Sequence, residues 1–290
     1  MSGTTTSDAA PGAGESDDAP ARRPVLRPAA FFDLDKTIIA RSSTLAFSKP
    51  FRAGGLISRR TVLRSAYGQF VYNVGGADHD QMEKMRQFLS ALCAGWEVQT
   101  VRDIVAETLH KVVDPLVFDE AVSLIEEHHR AGRDVVIVSA SGAEVVEPIG
   151  ELLCADAVVA TRMRIVEGRY TGEIDYYAYG ENKAAALRRL ADERHYDLSR
   201  SYAYSDSVTD LHMLEEVGHP YAVNPDRELR RIANERGWPV LGFSRPVALR
   251  RRMRLPRSRP TLAALALGTA TAVGGAVYVA ARRRLLRGSA

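Results

Sequence analysis

The chain has 290 residues, 46% of them hydrophobic and 26% charged, which is ordinary for a globular protein of one or two domains. Its two cysteines, Cys93 and Cys154, lie far apart, which argues against a disulfide framework or a close cysteine metal motif. The net charge of +3 is uneven, because residues 245–290 contain eleven Arg and no Asp or Glu whereas the first 244 residues carry −8. The basic composition is therefore no sign of nucleic-acid binding.

Residues 1–27 are rich in small and polar residues and are predicted to be disordered. They lack an apolar stretch behind a basic start and do not read as a secretory signal peptide. From residue 28 onward, short apolar runs alternate with helical patterns, which predicts an α/β fold with a doubly wound parallel sheet. We predict strands at 29–34, 135–139, 157–161, 202–205 and 221–223, and helices at 119–131, 143–153, 182–193, 210–216 and 227–236.

Residues 45–118 interrupt this alternation, because they contain helical patterns and no convincing strand. We predict a helical cap at this place, inserted between the first strand and the first helix of the core. The core would then consist of residues 28–44 and 119–244. A lobe inserted there could close over a site at the ends of the strands.

Residues 262–281 contain no charged side chain, and twenty helical residues span about 30 Å, the thickness of a bilayer's hydrocarbon core. We predict one C-terminal transmembrane helix here, preceded by a basic juxtamembrane segment at 245–261. A flexible tail rich in Ala and Gly is the alternative. More Arg precede the apolar run than follow it, so the positive-inside rule places the N-terminal part on the cytoplasmic side of the cell membrane.

Small residues recur every four positions along this apolar run, from Ala264 to Ala280. Such a stripe would let two helices pack closely in a homodimer, although the high content of Ala and Gly explains the spacing by chance. The flanking Arg border an apolar segment and fit anionic lipid headgroups better than a nucleic acid. We expect no nucleic-acid partner.

The sequence FFDLDKTIIA, residues 31–40, places Asp33, Asp35 and Thr37 at the end of a predicted buried strand. A buried carboxylate without a partner is costly, and it is otherwise neutralised by a shift of its pKa. Two carboxylates at this point therefore suggest a metal ion and an anionic substrate. An Asx turn or a helix cap after a strand would also explain them.

Further polar residues occupy the places where an open α/β sheet binds its ligands. Ser139 lies in the run VVIVSAS, and Lys183 lies at the start of a predicted helix. Asp206 and Asp210 follow a strand in AYSDSVTDLHML. Taken singly, these residues read as helix caps, first-turn acids or a solvated lysine. Their order along the chain is more informative than any one of them.

The order Asp-x-Asp-x-Thr, Ser, Lys and Asp-x-x-x-Asp, over about residues 29–244, resembles that of the haloacid dehalogenase superfamily. The likeness is to its phosphoserine-phosphatase-like branch (subfamily IB), in which a helical cap follows the first motif. It implies a phosphatase in which Asp33 is the nucleophile and Asp35 the general acid and base. It also implies phosphate contacts from Thr37, Ser139 and Lys183, and Mg²⁺ held by Asp33, Asp206 and the backbone carbonyl of Asp35, with support from Asp210.

The chain departs from phosphoserine phosphatases at informative places. Those enzymes have a small residue where this chain has Lys36, and a Glu that holds the substrate amino group where this chain has Ser42. Their second motif reads Ser-Gly-Gly, whereas here Ala140 and Ser141 follow Ser139, and Thr209 replaces an Asn before the last Asp.

These differences keep the implied catalytic acids and lose the residue that recognises an amine. We therefore expect phosphatase chemistry on another substrate, a membrane-associated or small organic phosphomonoester, because a membrane tether would favour a lipid-like phosphate. The alternatives are a phosphoserine phosphatase of serine biosynthesis and a non-catalytic, membrane-anchored binding module.

Overall fold

Short apolar runs form the strands of a central sheet in the computed structural model, which describes residues 26–57 and 90–246. The strands are β1 (Ala29–Phe32), β2 (Asp134–Gly142), β3 (Ala157–Val166), β4 (Arg169–Tyr176), β5 (Tyr202–Ser205), β6 (His219–Val223) and β7 (Val240–Leu241). Their order in the sheet is β4-β3-β2-β1-β5-β6-β7. All neighbouring pairs among them are parallel except β3 and β4, so the chain winds outward from β1 in both directions.

Helices connect these strands, and several begin or end at the residues that the sequence indicates. Asp226 caps the last helix by accepting a hydrogen bond from the Leu229 N–H at 2.8 Å, and Gly237 ends that helix at a φ of 68°. The helices are α1 (Ser43–Ala46), α2 (Ser48–Ala53), α3 (Val98–Val113), α4 (Asp119–Arg130), α5 (Ala143–Leu152), α6 (Glu181–Arg194), α7 (Leu211–Glu215) and α8 (Arg227–Arg236). Two 3₁₀ turns lie at Leu198–Arg200 and Val208–Asp210.

Each face of the sheet carries its own hydrophobic core, because successive side chains of a strand point to opposite faces. Phe32 is fully buried in the core that α3, α4 and α5 cover. Phe31, its neighbour, is fully buried in the opposite core, beneath α6, α7 and α8. This three-layer arrangement confirms the predicted α/β class, and it leaves the carboxyl ends of β1, β2 and β5 at one edge, where polar residues follow them.

The predictions from the sequence did not include a β-hairpin. It ended the third strand at residue 161, but β3 continues to Val166 and turns back into β4. Glu167 and Gly168 both have positive φ, 50° and 75°, as the tightest hairpin turns require. The residues of β4 alternate between exposed and less exposed positions, a pattern of period two, whereas Arg164, Ile165 and Val166 at the end of β3 are all exposed.

This hairpin is joined to the helical region that follows α2. The backbone N–H of Gly95 donates to the Tyr170 carbonyl at 2.8 Å, and the N–H of Tyr170 donates to the Trp96 carbonyl at 3.1 Å. The N–H of Val98, the first residue of α3, donates to the Gly168 carbonyl at 3.0 Å. In the described parts of the predicted cap, residues 45–57 and 90–118, the longest element is α3, and the cap itself stays a prediction.

Three predicted segments lie wholly or mostly outside the described residues. They are the disordered N-terminal segment apart from its last two residues, the basic juxtamembrane segment at 245–261 apart from its first two, and the transmembrane helix at 262–281. Residues 58–89 of the predicted cap also lie outside them. Within residues 26–57 and 90–246, no helix combines the length and the apolar character that crossing a membrane requires.

The turn before β6 gives a test of the fold, because a Cβ at Gly218 would lie 1.7 Å from the backbone oxygen of Ser199. The clash involves backbone that the Leu198–Arg200 turn fixes. We expect Gly218→Ala to lower the free energy of unfolding by at least about 2 kcal/mol, as measured by urea denaturation. Gly242→Ala is the matched control, because a Cβ there meets no atom within 4 Å. Equal stability of the two variants would contradict the expectation.

Candidate active site

The polar residues that the sequence singled out converge at the carboxyl ends of the central strands. Asp33 directly follows β1, and its backbone N–H donates to the Tyr204 carbonyl of β5 at 2.9 Å. Ser139 lies in β2, which neighbours β1 on the other side, and Asp206 follows β5. Lys183 enters from the first turn of α6. The sheet therefore gathers residues that are more than 170 positions apart in the chain.

The ammonium group of Lys183 forms ion pairs with two carboxylates of the site. Its Nζ lies 2.7 Å from Asp33 Oδ1 and 2.8 Å from Asp210 Oδ2, and the lysine side chain is only 2% exposed. Ser205 Oγ also donates to Asp210 Oδ2, at 2.7 Å. Burial alone would lower the pKa of Lys183, but the charges of Asp210 and Asp33 outweigh it and hold that pKa above its usual value. Lys183 is thus a permanent cation that fixes the position of Asp33.

One lysine does not balance the negative charge of the site. Burial raises the pKa of Asp33 well above its usual value, and the lowering by Lys183 is opposed by the neighbouring carboxylates, Asp210, Asp206 and Asp35. Burial likewise raises the pKa of Asp206 from 3.8 to about 7, although the nearby charge of Lys36 opposes the shift. The carboxylates lie close together with too little positive charge between them, which is an arrangement suited to a cation.

The donor set fits Mg²⁺, which prefers oxygen ligands and keeps several of its waters. Among residues 26–57 and 90–246, no three Asp, Glu, His or Cys side chains converge tightly enough to form a metal cage by themselves. Asp33 and Asp206 can supply two carboxylates, and the backbone carbonyl of Asp35 can supply a third oxygen. The side chain of Asp35 is engaged elsewhere, which agrees with a ligand role for its backbone alone.

Asp35 is held by hydroxyl-bearing residues. Its Oδ1 accepts a hydrogen bond from the backbone N–H of Ser43 at 2.8 Å, and its Oδ2 accepts one from Ser141 Oγ at 2.9 Å. Burial raises the pKa of Asp35, and the hydrogen bonds from Ser43 and Ser141 limit that rise. The site therefore contains two carboxylates with different partners, Asp33 bound to a cation and Asp35 bound to neutral donors.

The two predicted phosphate-binding hydroxyls are both buried. Ser139 Oγ accepts a hydrogen bond from the N–H of Ser141 at 3.2 Å, and both residues lie in the last part of β2, where its register with β3 shifts. The hydroxyl of Thr37 is fully buried and has no hydrogen-bond partner among the described residues. Phosphate contacts of Thr37, Ser139 and Lys183 stay a prediction.

Sequence reasoning missed several residues of this site. It noted Ser141 and Lys36 only as departures from a pattern, and it overlooked Ser43 and Ser205 altogether. Lys36 has a positive φ of 63°, is exposed, and lies close enough to lower the pKa of Asp206. A signal for the hydroxyls was present, because serines adjoin the Asp-x-Asp-x-Thr segment and the end of β2, but serines are common at such junctions.

Comparison with known proteins shows the family to which the chain belongs. The family model described as haloacid dehalogenase-like hydrolase matches residues 30–215. Over 262 residues the chain is 65% identical to the Inhibition of morphological differentiation protein of Streptomyces azureus, covering 89% of this chain and 95% of that protein. Over 261 residues it is 58% identical to a probable phosphatase of Mycobacterium tuberculosis, covering 90% and 91% of the two chains.

A third relative, named a phosphoserine phosphatase of Mycobacterium tuberculosis, is 32% identical over 264 residues, covering 90% of this chain and 82% of that one. The chain belongs to the haloacid dehalogenase-like hydrolase family. Within that family it is an enzyme, a phosphatase.

The charge imbalance of the site predicts how stability depends on pH. Asp206 has a pKa of about 7 in the folded protein, whereas its ordinary value, taken for the unfolded chain, is 3.8. Between these pH values the folded state therefore binds more protons than the unfolded state. Without divalent cations, Asp206 should therefore contribute a decrease in the free energy of unfolding as the pH rises from about 4 to about 7, opposed by His128, whose pKa burial lowers to about 4. Asp33 adds to the effect in the same direction.

Urea denaturation between pH 5 and pH 8 in the presence of a chelator measures this dependence. Asp206→Asn should reduce the slope, because the amide does not titrate, whereas Asp192→Asn on the exposed side of α6 should leave it unchanged. The same pH dependence in the wild type and in Asp206→Asn would contradict the prediction.

Proposed function

We propose that the protein is a Mg²⁺-dependent phosphomonoester hydrolase that acts through a phosphorylated Asp33. The observation that carries this proposal is the placement of Lys183 against Asp33, 2.7 Å from Oδ1, in a cluster of carboxylates at the ends of β1 and β5. A fixed carboxylate beside a permanent cation suits attack on a phosphorus atom, because the cation neutralises charge on both groups.

The residues divide the reaction between them. One oxygen of Asp33 attacks phosphorus, the bond to the leaving oxygen breaks, and Asp35 donates a proton to that oxygen. Asp35 then takes a proton from a water molecule, whose oxygen attacks the phosphorus and releases Asp33. Ser139 and Lys183 contact the phosphoryl oxygens. Mg²⁺, when bound by Asp33, Asp206 and the Asp35 carbonyl, supplies positive charge to the phosphoryl group.

Replacing the nucleophile tests this proposal. Asp33→Asn removes the attacking carboxylate and should lower kcat for p-nitrophenyl phosphate by at least about 10³-fold. Removal of Mg²⁺ by a chelator should abolish the wild-type activity, and added Mg²⁺ should restore it. Asp35→Asn should also lower kcat, by about 10²–10⁴-fold, because the water that hydrolyses the phosphorylated Asp33 then lacks its general base.

The same assay distinguishes an enzyme from a non-catalytic binding module. A membrane-anchored binding module would show no hydrolysis that depends on Asp33. Wild-type turnover that persists in Asp33→Asn would also defeat the proposed mechanism, since it would come from another site or a contaminant.

For the substrate, we propose a phosphomonoester at a membrane or a small organic phosphate without a required amine. Ser42, the residue before α1, carries no charge for an ammonium group, and the exposed Lys36 adds positive charge beside Asp206. The apolar run at 262–281 would tether the enzyme to the cell membrane with its catalytic part on the cytoplasmic side. Phosphoserine is the second candidate, since a relative 32% identical carries the name phosphoserine phosphatase.

A substrate comparison separates these two candidates. In detergent, we expect the full chain to hydrolyse lysophosphatidate faster than phosphoserine. On vesicles, we expect the truncated chain to have lost this preference for lysophosphatidate. The truncation should follow residue 246, because the Arg245 carbonyl accepts from the Asp119 N–H at 2.8 Å and Pro246 pairs with Phe118. Efficient hydrolysis of phosphoserine and none of the lipid would reverse the assignment.

A further inference from the structure

A group of hydroxyls surrounds the Asp35 carboxylate and links three parts of the chain. Ser141 Oγ, from the end of β2, donates to Asp35 Oδ2 at 2.9 Å. Ser43 Oγ, from the start of α1, donates to Ser141 Oγ at 2.8 Å, and Thr44 Oγ1 lies 3.2 Å from the same oxygen. Ser141 is therefore the centre of this hydroxyl cluster, which consists of Ser43, Thr44 and Ser141.

The cluster fixes the orientation of Asp35. Both carboxylate oxygens are engaged, Oδ1 by the backbone N–H of Ser43 and Oδ2 by the Ser141 hydroxyl, so rotation about the last side-chain bond would break both contacts. Ser43 is fully buried and Ser141 is 8% exposed, which shields these bonds from competition with water. Removal of the Ser141 hydroxyl would remove the donor that holds Asp35 Oδ2 at 2.9 Å.

The same serine also contacts Ser139, the predicted phosphate-binding residue of β2. Its backbone N–H donates to Ser139 Oγ at 3.2 Å, while its side chain reaches Asp35. Ser141 thus connects the residue proposed to contact the phosphoryl group with the residue proposed to protonate the leaving oxygen. Glycine or alanine at this position could keep the first contact and would lose the second.

We propose that Ser141 is a positioning residue for leaving-group protonation, acting through Asp35. This inference rests on the proposed function, in which Asp33 forms a bond to phosphorus, the bond to the leaving oxygen breaks, and the proton of Asp35 moves to that oxygen. A correctly aimed acid matters most when the leaving oxygen is strongly basic and matters little when the leaving anion is stable by itself.

Two aryl phosphates of similar shape give the test. Phenolate is the more basic leaving group and p-nitrophenolate the less basic, so binding differences in the pocket largely cancel between them. We compare kcat/KM, which reports the steps up to departure of the phenol. Ser141→Ala should slow phenyl phosphate hydrolysis about 10-fold more than p-nitrophenyl phosphate hydrolysis, a part of the about 10²–10⁴-fold that general acid catalysis supplies.

Conservative and matched variants accompany this measurement. Ser141→Thr keeps the hydroxyl and should restore most of the wild-type ratio between the two substrates. Ser43→Ala removes the donor to Ser141, so it should change the ratio in the same direction as Ser141→Ala but by a smaller factor. If Ser141→Ala does not fold, the ratios measured for Ser43→Ala and Ser141→Thr test the proposal in its place. Ser201→Ala removes another buried hydroxyl, which bonds the Ala29 N–H at 2.9 Å, and should leave the ratio unchanged.

The outcomes separate this inference from the proposed function. Equal slowing of both substrates by Ser141→Ala, or no slowing, overturns the positioning role while activity that depends on Asp33 still supports the phosphatase mechanism. Hydrolysis that does not depend on Asp33 overturns both. A change of ratio in Ser201→Ala as large as in Ser141→Ala would mean that the effect is a general loss of stability, and it too would overturn the proposal.

Discussion

The ion pairs from Lys183 to Asp33 and Asp210 hold together the parts of the chain that form the site. A lysine buried between two carboxylates keeps its proton, because neutralisation would leave two negative charges without a partner. The first strand, the sixth helix and the turn after β5 meet at this ammonium group. Its charge falls short of balancing the surrounding carboxylates, and that deficit supports the divalent cation of the proposed function.

The second feature that shapes the site is the unequal length of the two central strands. Strand β1 ends at Phe32, opposite Ile137, whereas β2 continues to Gly142. The extra residues of β2 rise past the end of β1 and bring the Ser141 hydroxyl to Asp35. The two carboxylates of Asp33 and Asp35 thus receive different partners from different elements, although a single residue separates them in the sequence.

Much of the fold and the set of site residues followed from the sequence, because buried parallel strands leave long apolar runs and their carboxyl ends carry polar residues. The edge hairpin did not, since β3 and β4 are half-exposed and their alternating pattern is weak beside those runs. The roles of Ser43 and Ser141 could not be read either. A serine at a strand end usually caps a helix, and only the register of β1 against β2 brings Ser141 to Asp35. The Lys183 contacts depended likewise on the packing of α6 against the sheet.

The attachment of the β3–β4 hairpin to residues 95–98 has a mechanical consequence. Helix α3 begins at this attachment, and its Val98, Val101 and Val105 are buried in the core on the Phe32 face of the sheet. Backbone hydrogen bonds on one side and buried side chains on the other therefore hold the start of α3. A displacement of this helix would carry β3 and β4 with it, and β3 pairs directly with the strand that carries Ser139. The position of α3 and the shape of the strand end at Ser139 are in this way mechanically coupled.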